Sequence, residues 1–294
     1  MGSKKAVLIA GLFFTVLLNL PALDWPDPQG IILNNFGQNE DGKPALGMSF
    51  SSEGEIYASG SGEILFHSGS YASVSSASRL PSPLGVWTAI DHGDGIISVY
   101  SRMDEKNQIP VNPVNITTRN VLGYSGLSGW SNSSGFYFFL YDRKERRWIN
   151  PLMIVNPRPD ERPPVIHWVR LRNEEGRVFD PAVTRTLSQG LYTISVSASD
   201  TMMAANENPL APFRIVCSLN GVESGSLNFE TYSARDGSLM VYRNGLVPTK
   251  EIFTQFPGWE VGTIRFTRGQ ATLEVIVQDY AGLARNTVFR LQIE

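Results

Sequence analysis

The chain contains few of the residues that bind soft metals or form cross-links. Its 294 residues include one cysteine, Cys217, and three histidines. A single cysteine excludes a disulfide within the chain, and we expect Cys217 to be a small buried residue of a strand. A zinc site needs about three protein ligands, drawn from His, Cys and carboxylates. The chain is therefore poor in zinc ligands before any motif is considered.

Charge of either sign is also sparse. Charged residues make up 18% of the chain and the formal net charge is -3. A nucleic-acid-binding protein would carry a basic patch or stripe, so no nucleic-acid partner is expected. No long apolar run follows the first 20 residues. We therefore expect no membrane contact once the N-terminal segment is removed.

Residues 1–22 have the pattern of a secretory signal peptide. Lys4 and Lys5 precede an apolar run of about fifteen residues, which is short for a membrane span of about twenty. We predict cleavage after Ala22, with an uncleaved N-terminal anchor as the alternative. Either case places the rest of the chain outside the cytoplasm, in the periplasm or secreted.

Turn-forming residues are plentiful, with 27 glycines and 18 prolines between short β-rich segments. This pattern favours an all-β class. A Pro-rich, charged stretch at residues 156–164 predicts a linker. It divides the chain into a first domain at residues 23–155 and a second at residues 165–294.

The centre of the first domain is a predicted hairpin. Val86–Ile90 and Ile96–Ser101 are predicted strands, and Asp91–Gly95 is a tight turn because Asp and Gly tolerate left-handed backbone. This stretch resembles the centre of the LytM-type (M23) zinc metallopeptidases, which cut peptide bonds in bacterial cell walls. In that family the returning strand ends Tyr-x-His-Leu and its His is catalytic. Here Arg102 holds that position.

Other stretches resemble family motifs and stand in the family's order along the chain, but their ligands are replaced. The family's His-x-Gly-x-Asp motif supplies two zinc ligands, and the similar stretch here has Ala45 and Ser49 at those positions. Gly123–Gly129 resembles the family's Gly-x-Ser-Gly-x-Thr-Gly loop. The next family motif contains a catalytic His and a zinc-binding His, where this chain has Tyr137 and Phe139.

The resemblance thus implies a LytM-like β-sheet domain, of the duplicated-hybrid-motif type, without its chemistry. Arg102 cannot act as a general base because a guanidinium stays protonated. Alternation along the strand places Tyr137, Phe139 and Tyr141 on one face. The candidate positions of the former active-site groove are Ala45, Ser49, Arg102, Tyr137, Phe139 and Tyr141. These aromatic and Arg side chains can bind a sugar or a carboxylate, or can simply fill the space left by zinc.

The second domain is predicted to be an immunoglobulin-like β-sandwich. Seven short strands with turns between them indicate this class: Val165–Arg172, Gly190–Ala198, Phe213–Leu219, Leu239–Arg243, Gly262–Phe266, Ala271–Val277 and Thr287–Ile293. Gln278–Asn286 resembles the Asp-x-Ala-Gly-Asn turn of bacterial immunoglobulin-like domains. We expect Asp200 and Asp279 to cap turns rather than to bind calcium.

Three functions are compatible with these observations. The first is a non-catalytic envelope protein that binds peptidoglycan, or regulates a cell-wall hydrolase, through the former groove. The second is a structural or interaction protein of a periplasmic or surface assembly. The third is a zinc-dependent peptidoglycan endopeptidase, which would need His67, His92 and His167 to converge. We expect the first, with no enzyme activity, metal or cofactor, and with peptidoglycan or an envelope protein as partner.

Overall fold

The computed structural model describes residues 22–68, 82–106, 114–131, 133–202, 208–253 and 258–294. The predicted signal peptide lies almost entirely outside the described residues. Within them the chain is all-β, as predicted, and its helical segments include two short 3-10 turns, Pro151–Met153 and Thr249–Glu251. None of the described helical segments is long and apolar enough to cross a membrane.

The strands of the N-terminal part are β1 (Ile31–Asn34), β2 (Asn39–Glu40), β3 (Lys43–Pro44), β4 (Met48–Ser51), β5 (Glu55–Tyr57), β6 (Gly62–His67), β7 (Val86–Asp91), β8 (Ile96–Met103), β9 (Asn115–Ile116), β10 (Val121–Tyr124), β11 (Phe136–Asp142) and β12 (Arg147–Ile149). The predicted central hairpin is β7 and β8, which pair antiparallel.

The strands of the C-terminal part are β13 (Val165–Asn173), β14 (Val178–Phe179), β15 (Thr186–Leu187), β16 (Gly190–Ser199), β17 (Arg214–Leu219), β18 (Val222–Arg235), β19 (Ser238–Arg243), β20 (Leu246–Pro248), β21 (Trp259–Phe266), β22 (Gly269–Gln278) and β23 (Ala284–Ile293). All seven predicted strands are present. The sequence leaves residues 220–237 open as a long hairpin or a loop, because this segment, with Gly225 and several serines, lacks a clear apolar alternation. Most of it forms the long strand β18.

Side-chain alternation decides which face of each strand is buried. On β11, Phe136, Phe138 and Leu140 are buried, while Tyr137 and Phe139 on the opposite face are half-buried. Because strand side chains alternate with a period of two, one face of β11 packs into the N-terminal core. The other face carries the aromatic residues predicted for the former groove.

One sheet of 15 strands runs through both parts of the chain. Its path is β15-β23-β22-β17-β18-β12-β11-β8-β7-β6-β9, with β4 and then β1 added at β11, and β19 and then β20 added at β18. The two parts join where β12 pairs with β18, with Trp148 opposite Tyr232. A four-stranded sheet, β14-β13-β16-β21, forms the second layer of the C-terminal part.

The two hydrophobic cores each contain residues from the other part of the chain. Phe36, which precedes the linker, is fully buried in the core of the sandwich. Met202 and Leu210, which follow the linker, are buried in the N-terminal core. The predicted domains therefore share buried surface, although their boundaries stay a prediction.

The predicted linker also lies against the N-terminal part. The guanidinium of Arg158 lies 3.9 Å from the centre of the Trp25 ring and donates hydrogen bonds to the carbonyl oxygens of Gly30 and Asp27. The indole of Trp25 donates to the carbonyl oxygen of Asn156. These contacts hold the segment against residues 25–30.

Candidate functional site

Three neighbouring strands bring most of the predicted groove positions together. In the β4–β11–β8 part of the sheet, Ser49 lies opposite Tyr137 and Tyr137 lies opposite Ser101. Directly opposed residues share one face of a sheet, so Ser49 and Tyr137 are side by side. Arg102 follows Ser101 with a positive φ of 66°, and its guanidinium lies 4.9 Å from the centre of the Tyr137 ring. The left-handed backbone interrupts the alternation and turns Arg102 toward Tyr137.

Ala45 lies in the segment that leads into β4. It is buried, and its backbone exchanges hydrogen bonds with the β2–β3 region: its amide donates to Gln38, and its carbonyl accepts from Gly37. At the positions compared with the zinc ligands, Ala45, Ser49 and Phe139 offer a methyl group, a hydroxyl and a phenyl ring. This set of groups does not fit zinc.

The aromatic pair Tyr137 and Phe139 is covered by the same leading segment. A Cβ on Gly47 would lie 2.4 Å from the carbonyl oxygen of Phe138 and 2.7 Å from the Cβ of Phe139. The backbone at Gly47 therefore lies directly on β11, which only glycine permits. Burial raises the pKa of Tyr137, and Glu40 adds to this, while Arg102 and the amide of Leu46 oppose it.

An open cleft remains beside the covered aromatic pair. This Arg102 cleft has a volume of about 500 Å³ and is lined by Asn34, Glu40, Ser49, Arg102 and Trp130, among others. Trp130 is 75% exposed. The cleft therefore combines a cation, a carboxylate, a hydroxyl and a large accessible aromatic ring.

The polar groups of the Arg102 cleft are only partly paired with each other. Asn34 donates from its amide to the Glu40 carboxylate, while Asn34 Oδ1 is buried without a hydrogen-bond partner among the described residues. The pKa of Glu40 is raised, mainly by partial desolvation. The charge of Arg102 and the hydrogen bond from Asn34 oppose this rise, and the charge of Asp41 adds to it.

Tyr141 shares the face of Tyr137 and Phe139 but is not part of this cleft. Its ring packs edge-on against Trp148 at 5.3 Å between centroids, and it is opposite Ile97 on β8. The structure thus gathers Ser49, Arg102 and the Tyr137–Phe139 pair, and leaves Tyr141 at the other end of the strand.

Two residues of the cleft escaped the sequence analysis. Trp130 directly follows the Gly123–Gly129 loop, and a tryptophan beside a glycine-rich loop was a usable signal for an exposed stacking surface. Glu40 has no such signal, because it resembles any charged residue of a hairpin and reaches the cleft only through the fold of β2 and β3.

The three histidines have different polar partners. His67 is buried, and its Nδ1 is 2.7 Å from Thr88 Oγ1. His92 pairs with Ser98, and His167 pairs with Ser199. Among the described residues, the group of potential metal ligands that comes together contains no histidine.

Acidification is expected to destabilise the protein partly through His92. Its Nδ1 is 2.9 Å from the carbonyl oxygen of Ser61, and its Nε2 is 2.7 Å from Ser98 Oγ. Burial lowers the pKa of His92, opposed by the Ser61 carbonyl and Asp91. The unfolded chain therefore takes up a proton near pH 6.5 more readily than the folded chain. The contribution of His92 to the free energy of unfolding is therefore fully present above that pH and is lost as the pH falls below it.

Urea unfolding at pH 7.5 and pH 5.5 measures this effect. The His92→Gln variant should lose less unfolding free energy between the two pH values than the parent chain, because glutamine does not titrate. His167→Gln is the matched control, since His167 is exposed. An equal pH dependence in the parent and His92→Gln chains would contradict the assignment.

Comparison with solved structures finds proteins of the M23 group at low similarity. The catalytic domain of the prophage-encoded M23 protein EnpA from Enterococcus faecalis is 15% identical, over 44% of this chain and 94% of that chain, with a TM-score of 0.35. Lysostaphin from Staphylococcus simulans is 14% identical, over 75% and 86% of the two chains, with a TM-score of 0.33.

A zinc-containing peptidase from Vibrio cholerae is 15% identical, over 47% of this chain and 41% of that chain, with a TM-score of 0.36. A family model without a functional description matches residues 163–294. No curated protein sequence matches the chain. At these identities and TM-scores the likenesses carry no argument about activity.

Proposed function

We propose that this protein is a non-catalytic cell-envelope protein whose N-terminal part is an M23-type domain without zinc ligands. The Arg102 cleft would bind peptidoglycan or contact a cell-wall hydrolase. The observation that carries the proposal is the alignment of Ser49, Tyr137 and Ser101–Arg102 on adjacent strands. Ser49, Tyr137 and Arg102 are predicted from motif order, and they lie together with an open cleft beside them.

The chemistry of these positions supports binding without catalysis. Ala45, Ser49 and Phe139 do not form a zinc-ligand set, and Arg102 holds its proton. Without a polarising metal or a general base, this set of residues has no means of activating water. The half-buried Tyr137 and Phe139, with Gly47 directly against β11, favour the interpretation in which aromatic rings fill part of the former groove.

The open part of the cleft suits a wall fragment in three respects. The exposed ring of Trp130 can stack on the apolar face of a sugar. The guanidinium of Arg102 can pair with a peptide carboxylate. The carboxylate of Glu40 can accept from an amine or amide of the same fragment. Peptidoglycan supplies all three kinds of group.

The C-terminal part is proposed to be an immunoglobulin-like module. The sheet order β13-β16-β21 faces β23-β22-β17-β18, and β15 pairs parallel to β23. Two facing sheets of mainly antiparallel strands with this connectivity are similar to the immunoglobulin sandwich. Together with the predicted signal peptide, this supports a location in the periplasm or outside the cell.

Co-sedimentation with purified peptidoglycan sacculi tests the proposal. We expect the parent chain to pellet with sacculi, and Arg102→Ala and Trp130→Ala each to weaken binding about tenfold, because an aromatic contact and a charge-assisted hydrogen bond contribute roughly 1–2 kcal/mol each. Both side chains are partly or largely exposed, so the variants should fold.

Arg119→Ala is the matched control. Arg119 lines a separate and larger concavity of about 730 Å³ near Trp25 and Tyr57. Loss of binding in Arg119→Ala alone would move the site to that concavity and contradict the role of the Arg102 cleft. Stoichiometric zinc in the purified protein would contradict the non-catalytic assignment.

A structural or interaction role is the second candidate. Leu127 and Trp130 are both largely exposed at the end of the glycine-rich loop, and exposed apolar neighbours commonly mark a protein contact. If sacculi do not pellet the parent chain, direct wall binding fails and this candidate is favoured. Trp130→Ala would then weaken an envelope-protein complex rather than wall binding.

A further inference from the structure

Three aspartates meet where the linker enters the sandwich. Asp160 lies in the linker, Asp200 directly follows β16, and Asp279 directly follows β22. One carboxylate oxygen from each residue lies within 4.8 Å of those of the other two. The three residues are far apart in the sequence, so only the packing of the linker against two strand ends brings them together.

Two of these side chains are deeply buried with an oxygen that has no partner. Asp200 is 2% exposed and Asp279 is 1% exposed. Asp200 Oδ1 and Asp279 Oδ2 accept no hydrogen bond from any residue that the structure describes. A buried acceptor without a partner is costly, so these two oxygens require a ligand or a proton.

Other hydrogen bonds of the three aspartates hold these residues in place. Asp279 Oδ1 accepts a hydrogen bond of 2.8 Å from the amide of Leu283, as the predicted turn cap requires. Asp160 Oδ1 accepts one of 3.0 Å from the amide of Arg162. The backbone of Asp200 exchanges two hydrogen bonds with Leu210. Turn capping therefore uses one oxygen of Asp279 and leaves the other free.

The electrostatic surroundings are acidic. Burial is the main factor that raises the pKa of Asp200 to about 7; the Thr201 amide opposes it, and the carboxylates of Asp160 and Asp279 add to it. Burial also raises the pKa of Asp279. A positive charge among the three carboxylates would relieve this repulsion.

We propose that Asp160, Asp200 and Asp279 bind one divalent cation, with Ca²⁺ preferred to Mg²⁺. Calcium takes six to eight oxygen ligands in flexible geometry, whereas magnesium requires near-ideal octahedral geometry and keeps several of its waters. Two of the three carboxylates are deeply buried, which favours the ion that exchanges water for protein oxygens more readily. Backbone carbonyls and water would complete the coordination. The cation would fasten the linker to the sandwich, whatever ligand the Arg102 cleft takes.

Calorimetric titration of the EDTA-treated chain with CaCl2 tests the proposal. We expect one site per chain with a Kd below 1 mM, in the range of extracellular calcium sites of about 10⁻⁴–10⁻³ M. Saturating CaCl2 should raise the Tm by about 5 °C, because a ligand bound only by the folded state stabilises it. MgCl2 at the same concentration should give a smaller shift.

Isosteric variants locate the site. Asp160→Asn, Asp200→Asn and Asp279→Asn should each lose at least tenfold in calcium affinity, whereas the matched control Glu161→Gln, next to Asp160 in the linker, should bind as the parent does. Asp160 is the least buried of the three, so its variant stays informative if the other two fail to fold. No heat and no Tm shift in the parent at 10 mM CaCl2 would overturn the proposal. A shift that all three Asn variants retain would overturn it too.

Discussion

Replacing Gly135 with alanine is expected to lower the free energy of unfolding by about 3 kcal/mol or more. Gly135 has a φ of 152°, and a Cβ there would lie 1.8 Å from the carbonyl oxygen of Phe50. Gly135 also exchanges two backbone hydrogen bonds with Gly126, which fix the glycine-rich loop to the start of β11. Alanine would have to push β4 away from β11, and the Arg102 cleft lies beside these two strands.

Urea denaturation followed by tryptophan fluorescence measures this loss. Gly54→Ala is the matched control, because a Cβ at Gly54 meets no atom within 4 Å, and its effect should stay within about 0.5 kcal/mol. A Gly135→Ala chain as stable as Gly54→Ala would mean that β4 and β11 are not in the contact described. The same variant should also reduce binding to sacculi if the cleft is the binding site.

Phe36→Ala is expected to cost about 3–5 kcal/mol, the usual range for deleting a buried aromatic side chain. Phe36 is fully buried and stacks on Tyr232 with 4.7 Å between ring centres. It precedes the linker in sequence, yet it fills space in the core of the sandwich. The loss of stability should therefore affect both parts of the chain.

Hydrogen exchange read by mass spectrometry can separate the two parts. In Phe36→Ala, amides of β22 in the sandwich should lose protection along with those of β8. Leu33→Ala is the control: Leu33 is also apolar and lies three residues earlier, but its side chain is partly exposed, so its effect should be about 1 kcal/mol or less. Unchanged protection in β22 would show that the two parts unfold independently, as two separate domains would.

The local sequence pattern was sufficient to predict the strands whose side chains alternate clearly. The β7–β8 hairpin follows from β-branched and aromatic runs around an Asp-Gly turn, in which Gly93, Asp94 and Gly95 all have positive φ. Seven of the eleven described strands of the C-terminal part were predicted for the same reason. The sequence leaves the segment of β18 open as a hairpin or a loop, because its partners β12, β17 and β19 stabilise the strand and pairing with distant strands leaves little trace in the local sequence.

The candidate site was only partly accessible to this kind of reasoning. Motif order led to Ser49, Tyr137, Phe139 and Arg102, which the sheet register brings together. Whether the aromatic rings are open or covered depends on the backbone at Gly47, which approaches β11 from another part of the chain. Trp130 and Glu40 enter the cleft through loop and hairpin geometry, which no periodicity reports.

Sequence was enough to establish the all-β class, the positions of most strands and the poverty in zinc ligands, because these depend on composition and on neighbouring residues. The tertiary structure decided how the parts meet: the burial of Phe36 in the far core, the pairing of β12 with β18, and the convergence of Asp160, Asp200 and Asp279. Each of these joins residues that are distant along the chain. Such contacts depend on which surfaces pack together, and local sequence does not specify that packing.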